Sequence, residues 1–431
     1  MRRILGKRLH QYLYDQKKRF LHWRTQTKRE TKFKALGLKR SLRYRVGRIA
    51  QSLSLLGLWK STTREPQRVS PRGLPSLARK LRPSFLIGPT NSANQGNEWS
   101  RALSRVGAKS SSLRISSDPV SEWFTTDLSI DRESWLKLPE RIALVQRVAS
   151  TADVVLFESL RPMFRIENVR DGSHQVLEDL ELMRTIGKKV GVIFHGSDIR
   201  DVDAHASRYS FSPFNTQRPE IEDLRKRSNE NRGALPILRK KKIPIFVSTR
   251  DLLREVPDAH WLPVVIDYEK FNRVAVEFPI FPTDALRVLY LPSRSWLKSA
   301  EIILPILEKL DTEGVIDFIK PAPVPHDQIP EMLAQADLVI DQMMGVIGVF
   351  AVEALAAGRL VMSFIDTSDG EDVITSSTPV ININPSNLES EIRRVASERP
   401  RPTEGPAFAH KWHDGRESAR VIGQAFGWKL A

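Results

Sequence analysis

From residue 84 onward the chain repeatedly alternates short apolar runs with amphipathic segments, and this alternation restricts the fold more than any other feature. FLIG (85–88), DVVLFES (153–159), KVGVIF (189–194), IPIFVST (243–249) and AHWLPVVID (259–267) have the length and the aliphatic and aromatic content of buried strands. A further strand is expected near 112–115. Helical spacing predicts helices over 98–107, 138–149 and 175–186. Strands that are buried on both faces and separated by helices make a parallel sheet, because a parallel pair needs a long crossover. An irregular stretch with Phe278, Pro279, Phe281 and Pro282 follows. The pattern then restarts, with strands over 286–294, 315–321, 337–343 and 360–365 and helices over 300–310, 328–335, 349–358, 388–397 and about 415–426. The reading is α/β, with two Rossmann-like units joined by a hinge at 268–286. A cleft is expected between their strand carboxyl ends.

The expected organisation has four parts. Residues 1–82 form a basic amphipathic extension and linker, 83–270 an N-terminal Rossmann-like domain, 271–412 a C-terminal Rossmann-like domain, and 413–431 a helix crossing back. Of 431 residues, 41% are hydrophobic and 27% charged, which excludes disorder over the whole length. There is no cysteine, which excludes disulfides, thiolate metal sites and a cysteine nucleophile.

Charge is distributed unevenly. Residues 1–82 hold 24 Lys and Arg against Asp15, Glu30 and Glu65, whereas the rest carries 43 basic and 48 acidic residues. The whole excess of +16 therefore belongs to the extension. Within it, Leu5, Leu9, Phe20 and Trp23, and later Val46, Ile49, Leu53 and Leu56, recur at helical spacing among cations. That pattern suits an anionic membrane surface over residues 1–60, with a solvated basic helix or a nucleic-acid contact as the alternatives. No specific nucleic acid is expected. No apolar run is long enough to span a bilayer, and the basic start lacks the apolar core of a signal peptide. A cytoplasmic protein, peripheral on the inner face of the membrane, is expected.

The most specific motif is ADLVIDQMMGVIGVFAVEALAAGRLV, residues 336–361. A buried strand leads through a turn with Gly345 and Gly348 into a helix that carries Glu353 and ends at Gly358. The free N–H groups and positive dipole end of such a helix suit a phosphate. Glu353 can accept hydrogen bonds from ribose hydroxyls, or can be satisfied within an ordinary crossover.

This stretch resembles the nucleotide-binding signature of retaining GT-B glycosyltransferases, a Glu-x7-Glu element ending in EAMAxGxPV. The resemblance extends over about residues 84–427. LPSRSWLKSAEII is similar to the family segment that carries an Arg and a Lys for the donor pyrophosphate, here Arg294 and Lys298. GPTNSANQGNEWSRALSRVG resembles the glycine loop of the N-domain, with Gly96 near the donor phosphate. KVGVIFHGSDIRD resembles the strand whose end lines the cleft; His195 is then a candidate for donor sugar or acceptor and Asp198 for an acceptor hydroxyl. The chain departs from the pattern at three points. The first Glu falls at Gly345, the Gly after the Lys is Ser299, and Arg294 precedes Lys298 by four positions instead of five. Gly345–Ile347 backbone, Asp341 or Gln342 are candidate substitutes for the missing Glu.

The resemblance implies a hexosyltransferase-type enzyme that moves a sugar from a nucleotide-diphosphate-sugar to a cell-envelope or surface glycan, possibly lipid-linked. Anomeric configuration is retained, and no metal or other cofactor takes part. Cations facing a diphosphate stabilise the charge of the leaving group more in the transition state than in the ground state. His205, Ser212–Phe214 and the segment 157–165 are candidate acceptor contacts. His410, His413 and Asp414 form a cluster that reads as a helix cap or a metal site. The rival functions are a sugar-nucleotide epimerase, a non-catalytic nucleotide- or glycan-binding protein, and a basic-tailed nucleic-acid binder.

Overall fold

The computed structural model describes residues 82–118, 122–164, 172–292, 294–320, 324–368, 373–402 and 404–429. The expected basic helices and linker of residues 1–81 lie outside them.

The N-terminal sheet is built from β1 (Ser84–Gly88), β2 (Lys109–Ile115), β3 (Leu128–Ile130), β4 (Val154–Glu158), β5 (Lys189–Phe194), β6 (Ile245–Val247) and β7 (His260–Trp261). Its helices are α1 (Gln95–Arg105), α2 (Arg132–Leu136), α3 (Leu138–Thr151), α4 (Gly172–Thr185), α5 (Val202–Arg208) and α6 (Pro219–Lys240). All strand pairs are parallel, in the order β3-β2-β1-β4-β5-β6-β7.

The C-terminal sheet contains β8 (Leu286–Tyr290), β9 (Ile316–Ile319), β10 (Leu338–Ile340), β11 (Leu360–Ser363) and β12 (Ile381–Asn382). Its order is β12-β11-β10-β8-β9, again wholly parallel. Around it lie α7 (Tyr268–Glu277), α8 (Ala300–Thr312), α9 (Ile329–Ala334), α10 (Val349–Ala356), α11 (Val373–Ser376), α12 (Leu388–Glu398) and α13 (Gly405–His413); α14 (Arg416–Ala425) ends the fold.

Each face of the C-terminal sheet has its own core. Val339, Leu289 and Val361 pack with Phe271, Leu355 and Phe408 on one side. Val288, Ile340 and Met362 pack with Ile303, Leu307 and Ile392 on the other. The last helix belongs to the N-terminal core instead. Ala419, Ile422 and Phe426 pack among Phe85, Trp99, Leu156 and Ile193.

Three sequence expectations need correction. The hinge at 268–286 was expected to be irregular, but α7 occupies its first part, capped by Asp267, which accepts from Lys270 N–H. Phe271 and Val274 give this helix an apolar face in the C-terminal core. The run 259–267 yields only the two-residue strand β7, since Pro263 has no N–H to continue a ladder. The 22-residue helix α6 was not expected at all. Its buried face includes Ser228 and Asn231 alongside Ile221, Leu224, Leu235 and Leu238, so apolar periodicity alone does not reveal it.

Among the described residues, no helix is long and apolar enough to cross a membrane.

Candidate functional site

In a doubly wound sheet, the crevice for a ligand opens at the carboxyl ends of the strands where the strand order reverses. The N-terminal sheet reverses between β1 and β4 and the C-terminal sheet between β8 and β10. The candidate residues taken from the sequence are mostly in the loops that leave these four strands.

At the N-terminal crevice the organising group is Glu158, at the end of β4 and 0% exposed. Its Oε2 accepts from the backbone N–H groups of Thr90 (2.9 Å) and Asn91 (2.8 Å). Its Oε1 lies 3.0 Å from His195 Nε2. Asn91, Ala93 and Asn94 bend the loop through positive φ, and Asn91 Oδ1 takes Asn97 N–H at 2.9 Å. Gly96 then sits directly on the carboxylate: a Cβ there would lie 3.3 Å from both Glu158 oxygens. The His195 ring stacks on Trp99 with centroids 5.5 Å apart. Burial opposes a charged His195, but the Glu158 hydrogen bond and charge, with the charge of Asp198, outweigh it and raise the pKa. Asp198 braces the loop, its carboxylate accepting from His195 N–H (3.0 Å) and Gly196 N–H (2.7 Å).

At the C-terminal crevice Lys298 Nζ lies 2.6 Å from Asp341 Oδ1. The other oxygen of Asp341 accepts from Gly348 N–H at 2.6 Å, at the N-cap of α10. A Cβ at Gly348 would fall 3.0 Å from both Lys298 Nζ and Asp341 Oδ2. Gln342 donates to Val346 O at 2.8 Å and holds the turn. Arg294 is exposed and stands apart from this cluster. Glu353, 3% exposed, lies 2.6 Å from His326 Nε2. Burial disfavours the His326 cation, but the hydrogen bond and charge of Glu353 prevail and raise its pKa. Asp341 thus pairs with the cation of Lys298 and takes up the Gly348 N–H at the positive end of α10.

Gly345 has φ +78°, where a side chain is strained, and a Cβ there would lie 3.2 Å from Tyr209 Oη and 3.5 Å from Asp366 Cβ. Tyr209 donates to Asp366, and Arg254 Nη1 reaches Asp366 Oδ2 at 2.8 Å. A side-chain cluster thus fills the space beside Gly345, and it joins residues of both sheets' loops. Gly345, Arg254 and Asp366 also border an open pocket lined by Arg250, Trp261, Ile347 and Thr378.

His205 bonds Ser212 Oγ (2.8 Å) and Met344 O (3.3 Å), and burial pushes its pKa down to about 4. His413 Nδ1 donates to Val264 O at 2.8 Å and is also pushed down to about 4 by burial. Asp414 accepts from Arg416 N–H at 2.9 Å, and His410 is exposed. Among the described residues, no group of three or more His, Cys, Asp or Glu can hold a metal ion.

Neither a protein-family profile nor a curated protein sequence matches the chain. Solved structures do. The chain is similar to HepE of Anabaena in complex with UDP and glucose, at 11% identity and TM-score 0.51, over 80% of this chain and 100% of that one. The chain has the GT-B fold. It is also similar to sucrose-phosphate synthase of Thermosynechococcus elongatus, at 12% identity and TM-score 0.50, over 80% of this chain and 98% of that one. At these identities the likeness is one of fold; the site argument rests on the geometry above.

Sequence reasoning did not single out Glu158, His326, Tyr209, Arg254 or Asp366. Glu158 falls in the segment expected to line an acceptor channel. The others stand alone in sequence and gain meaning only from partners far along the chain.

Proposed function

We propose that the protein is a glycosyltransferase that moves a sugar from a nucleotide-diphosphate-sugar to a hydroxyl of a second glycan. The observation that carries this reading is the Lys298–Asp341–Gly348 cluster at the start of α10, placed at the strand-order reversal of a GT-B fold. In this reading the donor diphosphate takes over Lys298 and the N–H of Gly348. Both then stabilise the negative charge that develops as the sugar–phosphate bond breaks. Glu353, with His326 beside it, receives the ribose hydroxyls. Closure of the two domains excludes water and limits hydrolysis of the donor. Retention of configuration, independence of metal and a lipid-linked or envelope acceptor follow the family resemblance. The basic residues 1–60 then hold the cleft near an anionic membrane.

Titration calorimetry with UDP, GDP, ADP and TDP tests the donor site. One nucleotide is expected to bind saturably, and to lose about 100-fold in affinity in Lys298→Ala, equivalent to roughly 3 kcal/mol. A folded protein that binds none of the four overturns the reading. A non-catalytic binding protein is the second reading, favoured by the Tyr209 and Asp366 side chains that fill the space beside Gly345. It predicts nucleotide binding without sugar transfer.

A further inference from the structure

One carboxylate at the N-terminal crevice is not explained by packing. Glu98 lies in the first turn of α1 and is only 4% exposed. Its Oε1 accepts from Asn94 Nδ2 at 3.0 Å and lies 3.5 Å from Asn97 Nδ2 and from Arg101 Nη1. Its Oε2 is buried with no hydrogen-bond partner among the described residues. A buried carboxyl oxygen without a partner costs free energy that a purely structural residue would not impose. Natural proteins keep such costs mostly at sites of function.

The surroundings say what kind of donor is missing. Glu98 follows Gly96 on the loop and helix start that Glu158 organises. It is within electrostatic range of His326, the partner of Glu353 on the opposite domain. Arg101 is turned partly aside, 3.5 Å from Asp267 Oδ2. Burial raises the Glu98 pKa, and Asp267 acts in the same direction, while Arg101, Arg105 and His326 act against it. The amides of Asn94 and Asn97 are both directed at Oε1, so Oε2 is the acceptor left over for a hydroxyl-bearing molecule.

We propose that Glu98 is a substrate-binding residue whose free Oε2 accepts a hydrogen bond from a hydroxyl of the acceptor sugar, entering from the N-domain side as the domains close on the donor. This rests on the proposed glycosyltransferase reading for the identity of the hydroxyl compound. The assignment of Glu98 to a ligand instead of to the fold stands separately.

The experiment compares the full-length protein with Glu98→Gln, which keeps the shape and the Asn94 bond but replaces the Oε2 acceptor by an amide NH2. Thermal unfolding at about pH 8 is expected to show Glu98→Gln at least as stable as the parent, with Tm unchanged or a few degrees higher. Calorimetry with the nucleotide is expected to give the same affinity for both. Transfer from radiolabelled UDP-glucose to methyl glucoside or methyl mannoside is expected to show KM for the glycoside raised at least about tenfold, with KM for the donor unchanged. A Tm several degrees below the parent overturns the proposal, because Glu98 then serves the fold. So does unchanged KM for the glycoside. A parent protein that binds no nucleotide and transfers no sugar defeats the glycosyltransferase reading alone. The Tm comparison then still decides whether Glu98 is held against stability.

Discussion

The two crevices use one device with different chemistry. In each, a buried carboxylate at the end of a central strand accepts backbone N–H from a loop, bonds a basic side chain and is approached closely by a glycine. In the N-domain these are Glu158, the N–H groups of Thr90 and Asn91, His195 and Gly96. In the C-domain they are Asp341, the N–H of Gly348, Lys298 and Gly348 itself. The basic partner makes the difference. Lys298 places a compact amine on a flexible stem. His195 is clamped between Trp99 and Glu158, whose hydrogen bond and charge raise its pKa. The C-domain carboxylate thus holds a flexible side chain and the N-domain carboxylate a stacked ring.

The largest expected effect follows from removing the carboxylate of the N-terminal crevice. Glu158→Ala leaves two loop N–H groups and the His195 ring without their acceptor, and is expected to cost about 4 kcal/mol in stability. Denaturant midpoints measure it, and a loss below about 1 kcal/mol would show that the loop does not depend on Glu158. Lys298→Ala should cost less, about 2 kcal/mol in the same measurement, because Asp341 keeps the Gly348 bond. Equal losses from the two variants would erase the distinction drawn between the crevices.

The glycines give a finer test. Gly348→Ala is expected to cost roughly 2 kcal/mol and Gly96→Ala roughly 1 kcal/mol, in line with Cβ approaches of 3.0 Å and 3.3 Å. The reverse order in thermal unfolding would mean that Lys298 moves aside more readily than Glu158.

The smallest effect is one of pH. His195 has a raised pKa in the folded protein, so its pairing with Glu158 contributes fully below the ordinary value of 6.5 and is lost as pH rises through the raised value. The stability difference between the parent and His195→Gln should shrink over that interval. A difference independent of pH would refute charge on His195. Acid works in the opposite direction elsewhere. His205 and His413, both held neutral to about pH 4, weaken the fold as pH falls below about 6.5.

Much of the architecture is legible locally. The strands β1, β4, β5, β8, β10 and β11 appear as apolar runs because they are buried on both faces, which forces continuous hydrophobicity. The glycine-bearing turn before α10 and the Gly358 that ends it are legible because backbone geometry restricts those positions. Elements at edges are not legible in this way. β3 and β12 are two or three residues long, and α6 hides its buried face behind Ser228 and Asn231. Asn231 is buried because its amide donates to Asp198 O at 2.7 Å, which no periodicity encodes.

By itself, the sequence determined the alternation of the buried strands with helices, the two Rossmann-like halves and the chain positions of Gly96, His195, Lys298, Gly348 and Glu353. These follow from burial periodicity, from backbone restrictions at glycine and from short motifs, all of which act within a few residues. The tertiary structure decided what those residues do, because their partners lie far along the chain. His195 meets Glu158 from 37 residues away, Lys298 meets Asp341 from 43, and Tyr209 meets Asp366 from 157. A buried charge takes its role from the donor or acceptor that folding brings within about 3 Å of it. That neighbour is fixed only when both sheets are assembled.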